Sequence, residues 1–463
     1  MKHLLLGIAL TASLTAVAQK KSKAHIANYS STDSVFIKQL YNEALSNGHA
    51  HENLRFLCKN IGARLSGSVQ AQMAVEWSEK LMKSYAFDTV FLQPIEVPYW
   101  VRGTKEAGWI RTENLPIHKV HLLALGGSIG TNGIMEAPIV MFKHLSELQK
   151  AKRSDVEGKI VFINQPMNEQ DIQTFNAYGG CVAIRGKGAI EAAKLGAVAV
   201  LIRSVGLPLD EHPHTGTMAY SPDIPKIPAA AISTLDAEHL AKVIESNPIH
   251  FIMEMDCEDR GMRPSFNVIG EMRGTEKPSE IISVGGHLDS WDTGEGAHDD
   301  GAGVIHSLEA LRLFQVLNYK PKHTIRVVFF MNEENGNKGG EGYASWVSEL
   351  GEKHIAAVES DRGGFVPRGF TVDGTALPFL QSLQVPFKPY DVHYLEKGYG
   401  GVDINPLKKY FPNINLFGFV PDSQRYFDFH HAPSDVFENV NKRELELGCA
   451  TIATLLYFID QNF

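Results

Sequence analysis

Four short apolar runs, residues 281–284, 325–330, 355–358 and 414–419, most constrain what this chain can fold into. Each is rich in β-branched or aromatic residues and has the length of a buried strand. Helical patterns separate them, notably across 302–315, and a last helix is expected over about 442–458. Apolar runs alternating with helices predict an α/β fold, a mainly parallel sheet flanked by helices. In such sheets ligands bind beyond the carboxyl ends of the strands, so those ends locate the chemistry.

All four ends carry metal-binding or acid–base residues. The first run leads into GGHLDSWDTGEGAHDDGAG, which holds His287, Asp289 and Asp299. The second ends at Asn332-Glu333-Glu334, and the third at Glu359-Ser360-Asp361. The fourth leads to YFDFHHAPSD, with His430, His431 and Asp435. Ionised carboxylates do not crowd together unless positive charge sits among them. Imidazole and carboxylate donors without thiolate suit zinc, with Mn2+ or Co2+ as substitutes. Two histidines and three carboxylates exceed what one tetrahedral ion needs. They suit two ions sharing a bridging carboxylate, ~3.5–4 Å apart. One of Glu333 and Glu334 then ligates while its neighbour acts as base. Asp289 reads as a partner holding the His287 ring. His298, Asp292 and Glu295 find no convergent partner and read as structural.

The remaining sequence bounds the setting. Residues 1–18 form a basic start, a short apolar stretch and Ala16-Val17-Ala18, the pattern of a cleaved export signal. This predicts a periplasmic or extracellular protein with no stable membrane span. The net charge of −9 comes without any Lys/Arg block, which argues against nucleic acid as a partner. Cys58, Cys181, Cys257 and Cys449 are widely spaced, with no CxxC. Both disulfide pairing and burial as small hydrophobes fit them. A helix through "QAQMAVEWSEKLMKSYAF" directs Met73, Val75, Trp77, Leu81 and Met82 to the core, and "TVFLQPIEVPYW" reads as an edge strand. Between about 115 and 256, KIVFIN, AVAVLI and IPAAAIS alternate with helices as a small α/β unit of their own.

At these residues the sequence resembles metallopeptidase family 28, the co-catalytic di-zinc exopeptidases. IGARLSGS, VPYWVRG, LGGSIGT, KIPAAAIS, GGHLDSWD through DDGAG, NEENG, ESDRGG, DINPL and HHAPSD carry the resemblance along nearly the whole mature chain. It implies the zinc-exopeptidase (phosphorylase/hydrolase-like) fold over 19–114 and 257–463, with a protease-associated domain inserted at 115–256. That insertion is expected to shape access, as a lid or dimer contact, without doing chemistry. Two Zn2+ per chain are implied, one on His287 and Asp361, the other on Glu334 and His431, with Asp299 shared. Glu333 is implied as general base toward the attacking water, and the Asp299-Asp300 peptide bond as cis. His431 rather than His430 ligates, because His431 and Asp435 complete an H-x-x-x-D pattern. His430, Tyr399 and Asp403 are candidates for substrate binding, Tyr399 at the oxyanion. Arg362 or Arg425 is the candidate for a substrate carboxylate. Short peptides with free ends are the implied substrates, and a homodimer follows from family analogy alone. The rivals are a catalytically silent receptor-like protein and a glutaminyl-cyclase-like acyl transferase. Glu333 and a complete ligand set argue against both.

Overall fold

The computed structural model describes residues 26–463, so the export signal lies outside the described residues. One unit is built on an eight-stranded sheet. Its strands, in spatial order, are Thr89–Val101, Glu258–Met272, His323–Phe330, Lys277–His287, Lys353–Glu359, Asn415–Pro421, Pro367–Asp373 and Tyr394–Lys397. The four apolar runs become four adjacent strands, all parallel to one another. Their carboxyl ends therefore line one edge, as expected. Antiparallel neighbours complete the sheet on both sides, and the strand holding Pro94 and Pro98 lies at the edge, where a missing N–H costs least.

Strand periodicity divides the buried side chains between two faces. Ile282, Val284, Val327, Phe329, Val358 and Phe417 pack with the helices Ala302–Val316 and Lys442–Asn462. Val328, Phe330, Ala357 and Leu416 pack with Tyr343, Ala344 and Val347 of the helix Lys338–Glu349. Asn441 caps the last helix by accepting from the backbone N–H groups of Arg443 and Glu444. Met73 departs from expectation. The buried face of helix Val69–Ser84 is formed by Ala71, Ala74, Val75, Ser78 and Met82, which turns Met73 outward, 44% exposed.

A second eight-stranded sheet orders its strands as His118–Val120, Glu106–Arg111, His250–Met255, Met135–Phe142, Ile160–Ile163, Ala199–Arg203, Ala229–Ile232 and Leu122–Ala124. This unit takes in Glu106–Arg111, ahead of residue 115, because that strand pairs with His250–Met255. The unit is packed onto the first rather than tethered to it. Val161, Ile163, Val200 and Ile202 share a core with Phe365, Tyr426, Phe427 and Phe429. On the opposite face Phe162 and Leu201 share one with Leu65, Trp100 and Trp291. Gly126 lies so close to Trp291 that a Cβ there would overlap the indole ring. Arg102 joins Asp292 at 2.5 Å to Glu106 at 3.0 Å across the junction. All four cysteines are buried and free. Among the described residues no helix is long and apolar enough to cross a membrane.

Cores that span both units predict one cooperative thermal transition, with calorimetric and van't Hoff enthalpies equal. Trp291→Ala is expected to lower stability by about 3–5 kcal/mol while leaving a single transition. Two resolved transitions in the parent protein would contradict the shared-core arrangement.

Candidate metal centre

The loop after strand Lys277–His287 is held in place by buried groups. Arg64, fully buried, donates to the carbonyl oxygens of Leu288 (2.5 Å), Glu295 (2.7 Å), Gly296 (2.9 Å) and Gly62 (3.4 Å). It comes from IGARLSGS, whose local pattern gave no sign of this task. Asp435 accepts from the backbone N–H groups of His298 (2.8 Å) and Asp299 (3.1 Å), and so aims Asp299. Asp300 accepts from the N–H groups of His287 (3.0 Å) and Gly303 (3.1 Å). The Asp299-Asp300 peptide bond is cis.

Asp299 stands between two donor groups. Its Oδ1 is 3.3 Å from His287 Nε2, which is 3.5 Å from Asp361 Oδ1. Its Oδ2 is 3.2 Å from His431 Nε2, which is 3.0 Å from Glu334 Oε2. The fold thus brings His287 together with Asp361 and His431 with Glu334, with Asp299 between them. Asp299 Oδ2 is buried and has no hydrogen-bond partner, as an oxygen awaiting a cation would be. His430 is set further off, its Nε2 3.7 Å from Asp299, with its ring stacked on His431 at 3.5 Å between centroids. Two groups of three donors lie close enough to hold a metal ion, His287 with Asp299 and Asp361, and Asp299 with His430 and His431, and such nitrogen and oxygen donors suit zinc.

Asp289 holds something other than the ring expected. His287 Nδ1 donates to the Asp289 backbone carbonyl at 2.9 Å, while the carboxylate is 3.9 Å away. The carboxylate instead accepts from the N–H groups of Asn332 (2.6 Å), Glu333 (3.1 Å) and Glu334 (3.4 Å). It fixes the loop that presents both glutamates. Asn332, with positive φ, is the turn residue of that loop. His298 is structural, as read. It stacks on Phe365, Nδ1 accepts from Gly364 N–H, and burial depresses it to about 4.

A cavity of about 250 Å3 opens onto Asp299, Glu333, Glu334, Asp361, His430 and His431. Its other walls include Phe175, Tyr178, Arg185 and Thr217 of the inserted unit, with Tyr426 and Phe427. The inserted unit thus lines the cavity itself with its side chains. Tyr399, 46% exposed, lines an adjoining chamber of about 190 Å3 with Asp361 and Arg362. Asp403 is 1% exposed with both carboxylate oxygens unpartnered; its neighbour Val402, not Asp403, lines the two chambers. Arg425 is exposed, its guanidinium over Phe429. Asp403 and Arg425 therefore do not reach a substrate in the cavity.

The electrostatics suit cations. Burial, then Asp299, lifts Glu334 to about 7. Burial, then Asp361, Glu334 and Asp299, outweighs His287 and holds Glu333 well above the usual carboxylate range. Against the opposing effect of burial, Glu334 and Asp299 raise His431 to about 9.

Comparison with known proteins finds relatives along most of the chain. Residues 267–456 match the family model of peptidase family M28. Carboxypeptidase Q of Bos taurus is 34% identical over 444 residues, covering 94% of this chain and 90% of the relative. Carboxypeptidase Q of Homo sapiens is 34% identical over 417 residues, 89% of this chain and 85% of that protein. A crystal structure of a peptidase M28 precursor from Shewanella amazonensis superposes with a TM-score of 0.85 at 34% identity, covering 92% of this chain and 96% of that one. A zinc aminopeptidase from Bacillus subtilis shares the fold at 20% identity and a TM-score of 0.64, covering 88% and 93%.

Ion binding needs Glu334 ionised and His431 neutral, and in the free chain these titrate at about 7 and about 9. Zinc affinity is therefore expected to rise continuously from pH 6 to pH 9, with proton release on binding. Competition titration with a chromophoric chelator reads this directly; a pH-independent affinity would contradict it.

Proposed function

The chain belongs to peptidase family M28, and we propose that it is an exported di-zinc exopeptidase that hydrolyses short peptides with free ends. The observation that carries this reading is Asp299, whose two oxygens each face a separate imidazole–carboxylate pair. His287 and Asp361 would hold one ion, Glu334 and His431 the other, with Asp299 shared. Bound there, two zinc ions supply Lewis-acid polarisation of the scissile carbonyl and acidify a water.

The chain's own groups do the rest. Glu333 lines the cavity and belongs to neither imidazole–carboxylate pair, which would leave its carboxylate to take the water's proton and pass it to the leaving amine. Asp289 keeps Glu333 and Glu334 on their separate tasks by holding three successive backbone N–H groups. Asp435 aims Asp299, and the His287 ring is oriented through its Nδ1. The inserted α/β unit, read as a protease-associated domain, closes the cavity with aromatic side chains. Its small volume supports a substrate of about two residues, below the ~300–1,000 Å3 of drug-sized pockets. Export is supported by the pattern of the first 18 residues.

The test is a panel of dipeptides with free, acetylated or amidated ends, assayed after chelator stripping and again after zinc return. Cleavage of unblocked dipeptides is expected to vanish on stripping and return with zinc. A protein that holds zinc and cleaves none of them would contradict the reading. Glu333→Gln is expected to keep its zinc and lose about 10²–10⁴-fold in kcat; unchanged kcat would remove Glu333 from the role of base.

A further inference from the structure

We propose that Arg185, on helix Ala183–Lys194 of the inserted unit, is the seat for the substrate's free α-carboxylate. It thereby makes the enzyme select peptides in which one residue follows the scissile bond. This rests on the peptidase reading above and assigns the group that reads one end of its substrate.

Arg185 is 6% exposed and lines the cavity shared with Asp299, Glu333, Glu334, Asp361 and His431. Its Nη2 donates to Tyr178 OH at 2.6 Å and its Nη1 to the Thr215 carbonyl at 3.3 Å; Nη1 also lies 3.3 Å from His431 Nδ1. None of these partners is a carboxylate, and the buried Nε has no hydrogen-bond partner among the described residues. Arg64, also buried without a carboxylate, fills its Nε, Nη1 and Nη2 with carbonyl oxygens, and three further arginines hold carboxylates. Arg102 holds Glu106 and Asp292, Arg312 holds Glu309 and Glu43, and Arg326 holds Glu271 and Glu352. A buried guanidinium with an idle donor is costly unless something anionic completes it. Gly216 makes room for it, since a Cβ there would overlap the guanidinium. The site is built, and what it lacks is the fork-matching anion that arginine binds best.

Position selects which anion. The guanidinium lies against the His431 ring, so a carboxylate seated on it is about one residue of chain, ~3.5 Å, from a carbonyl at the Asp299–Glu334–His431 cluster. That is the carboxylate of the residue directly after the cleaved bond. Arg362, the other candidate, sits over Phe175 at 5.0 Å and lines the adjoining chamber, not the cavity of Glu333 and His431.

The test reads binding without turnover. The reduced-amide (CH2–NH) analogue of Ala-Leu and its C-terminal carboxamide are titrated calorimetrically into the zinc-loaded full-length protein. The parent protein is expected to prefer the acid by about 30-fold, the scale of a charge-assisted hydrogen-bond pair. Arg185→Met is expected to cut this to about 3-fold or less by weakening the acid alone, with zinc content unchanged. Arg185→Lys, which keeps charge and bulk but not the fork, falls between, and Arg362→Met keeps the full preference. The proposal is overturned if the parent does not distinguish acid from amide, or if the preference survives in Arg185→Met or collapses in Arg362→Met. Equal weakening of both ligands, or loss of zinc, in Arg185→Met also overturns it, because Arg185 would then act only by holding His431. Should Arg185→Met not fold, the parent comparison and Arg185→Lys decide. Failure of the parent to hydrolyse Ala-Leu itself would sink the peptidase reading separately, because the binding comparison does not depend on turnover.

Discussion

Repulsion among buried carboxylates is the constraint on which this structure turns. Asp299, Asp300, Glu333, Glu334, Glu359 and Asp361 are gathered at the carboxyl edge of four parallel strands. Burial and mutual repulsion drive Asp300 and Glu333 well above the usual carboxylate range, and Glu359 to about 8. Such a cluster persists only if backbone donors and cations answer it. The backbone answers part: Asp289 takes three N–H groups, Glu359 takes those of Val402 and Ile404, and Asp435 takes two. What it leaves unanswered lies between His287 and His431, at Asp299, where two ions would supply the balance.

The same constraint explains the rigidity around the loop. Arg64 spends its donors on carbonyls of residues 62, 288, 295 and 296, so it fixes the backbone that carries Asp299 without pairing any of the acids. An arginine salt-bridged to Asp299 would compete with a metal; one bound to carbonyls does not. The inserted unit adds the other half of the design. It shares cores with the strand-end loops, and it contributes to the cavity wall a cation that no carboxylate among the described residues pairs with.

Much of this was legible in the sequence because parallel strands carry a rule of place. Once residues 281–284, 325–330, 355–358 and 414–419 read as strands of one sheet, His287, Glu334, Asp361 and His431 had to share an edge. Local reading failed where contacts come from far along the chain. Arg185 sits in a helix of the inserted unit, and nothing near it in sequence announces His431, 246 residues away. Asp289 follows His287 closely enough to read as holding its ring, but its backbone carbonyl takes that place and its carboxylate turns to the glutamate loop. Asp403 and Arg425 carry the right chemistry for a substrate's ends, yet one is sealed behind the cavity lining and the other lies outside it.

The central claim is that this carboxylate cluster exists to hold two ions across one shared aspartate. Anomalous diffraction from crystals grown with zinc, collected on both sides of the zinc absorption edge, tests it most directly. The account predicts two peaks ~3.5–4 Å apart, one beside His287 and Asp361, the other beside Glu334 and His431, with Asp299 between them. A single peak, or none at Asp299 in fully zinc-loaded protein, would contradict it.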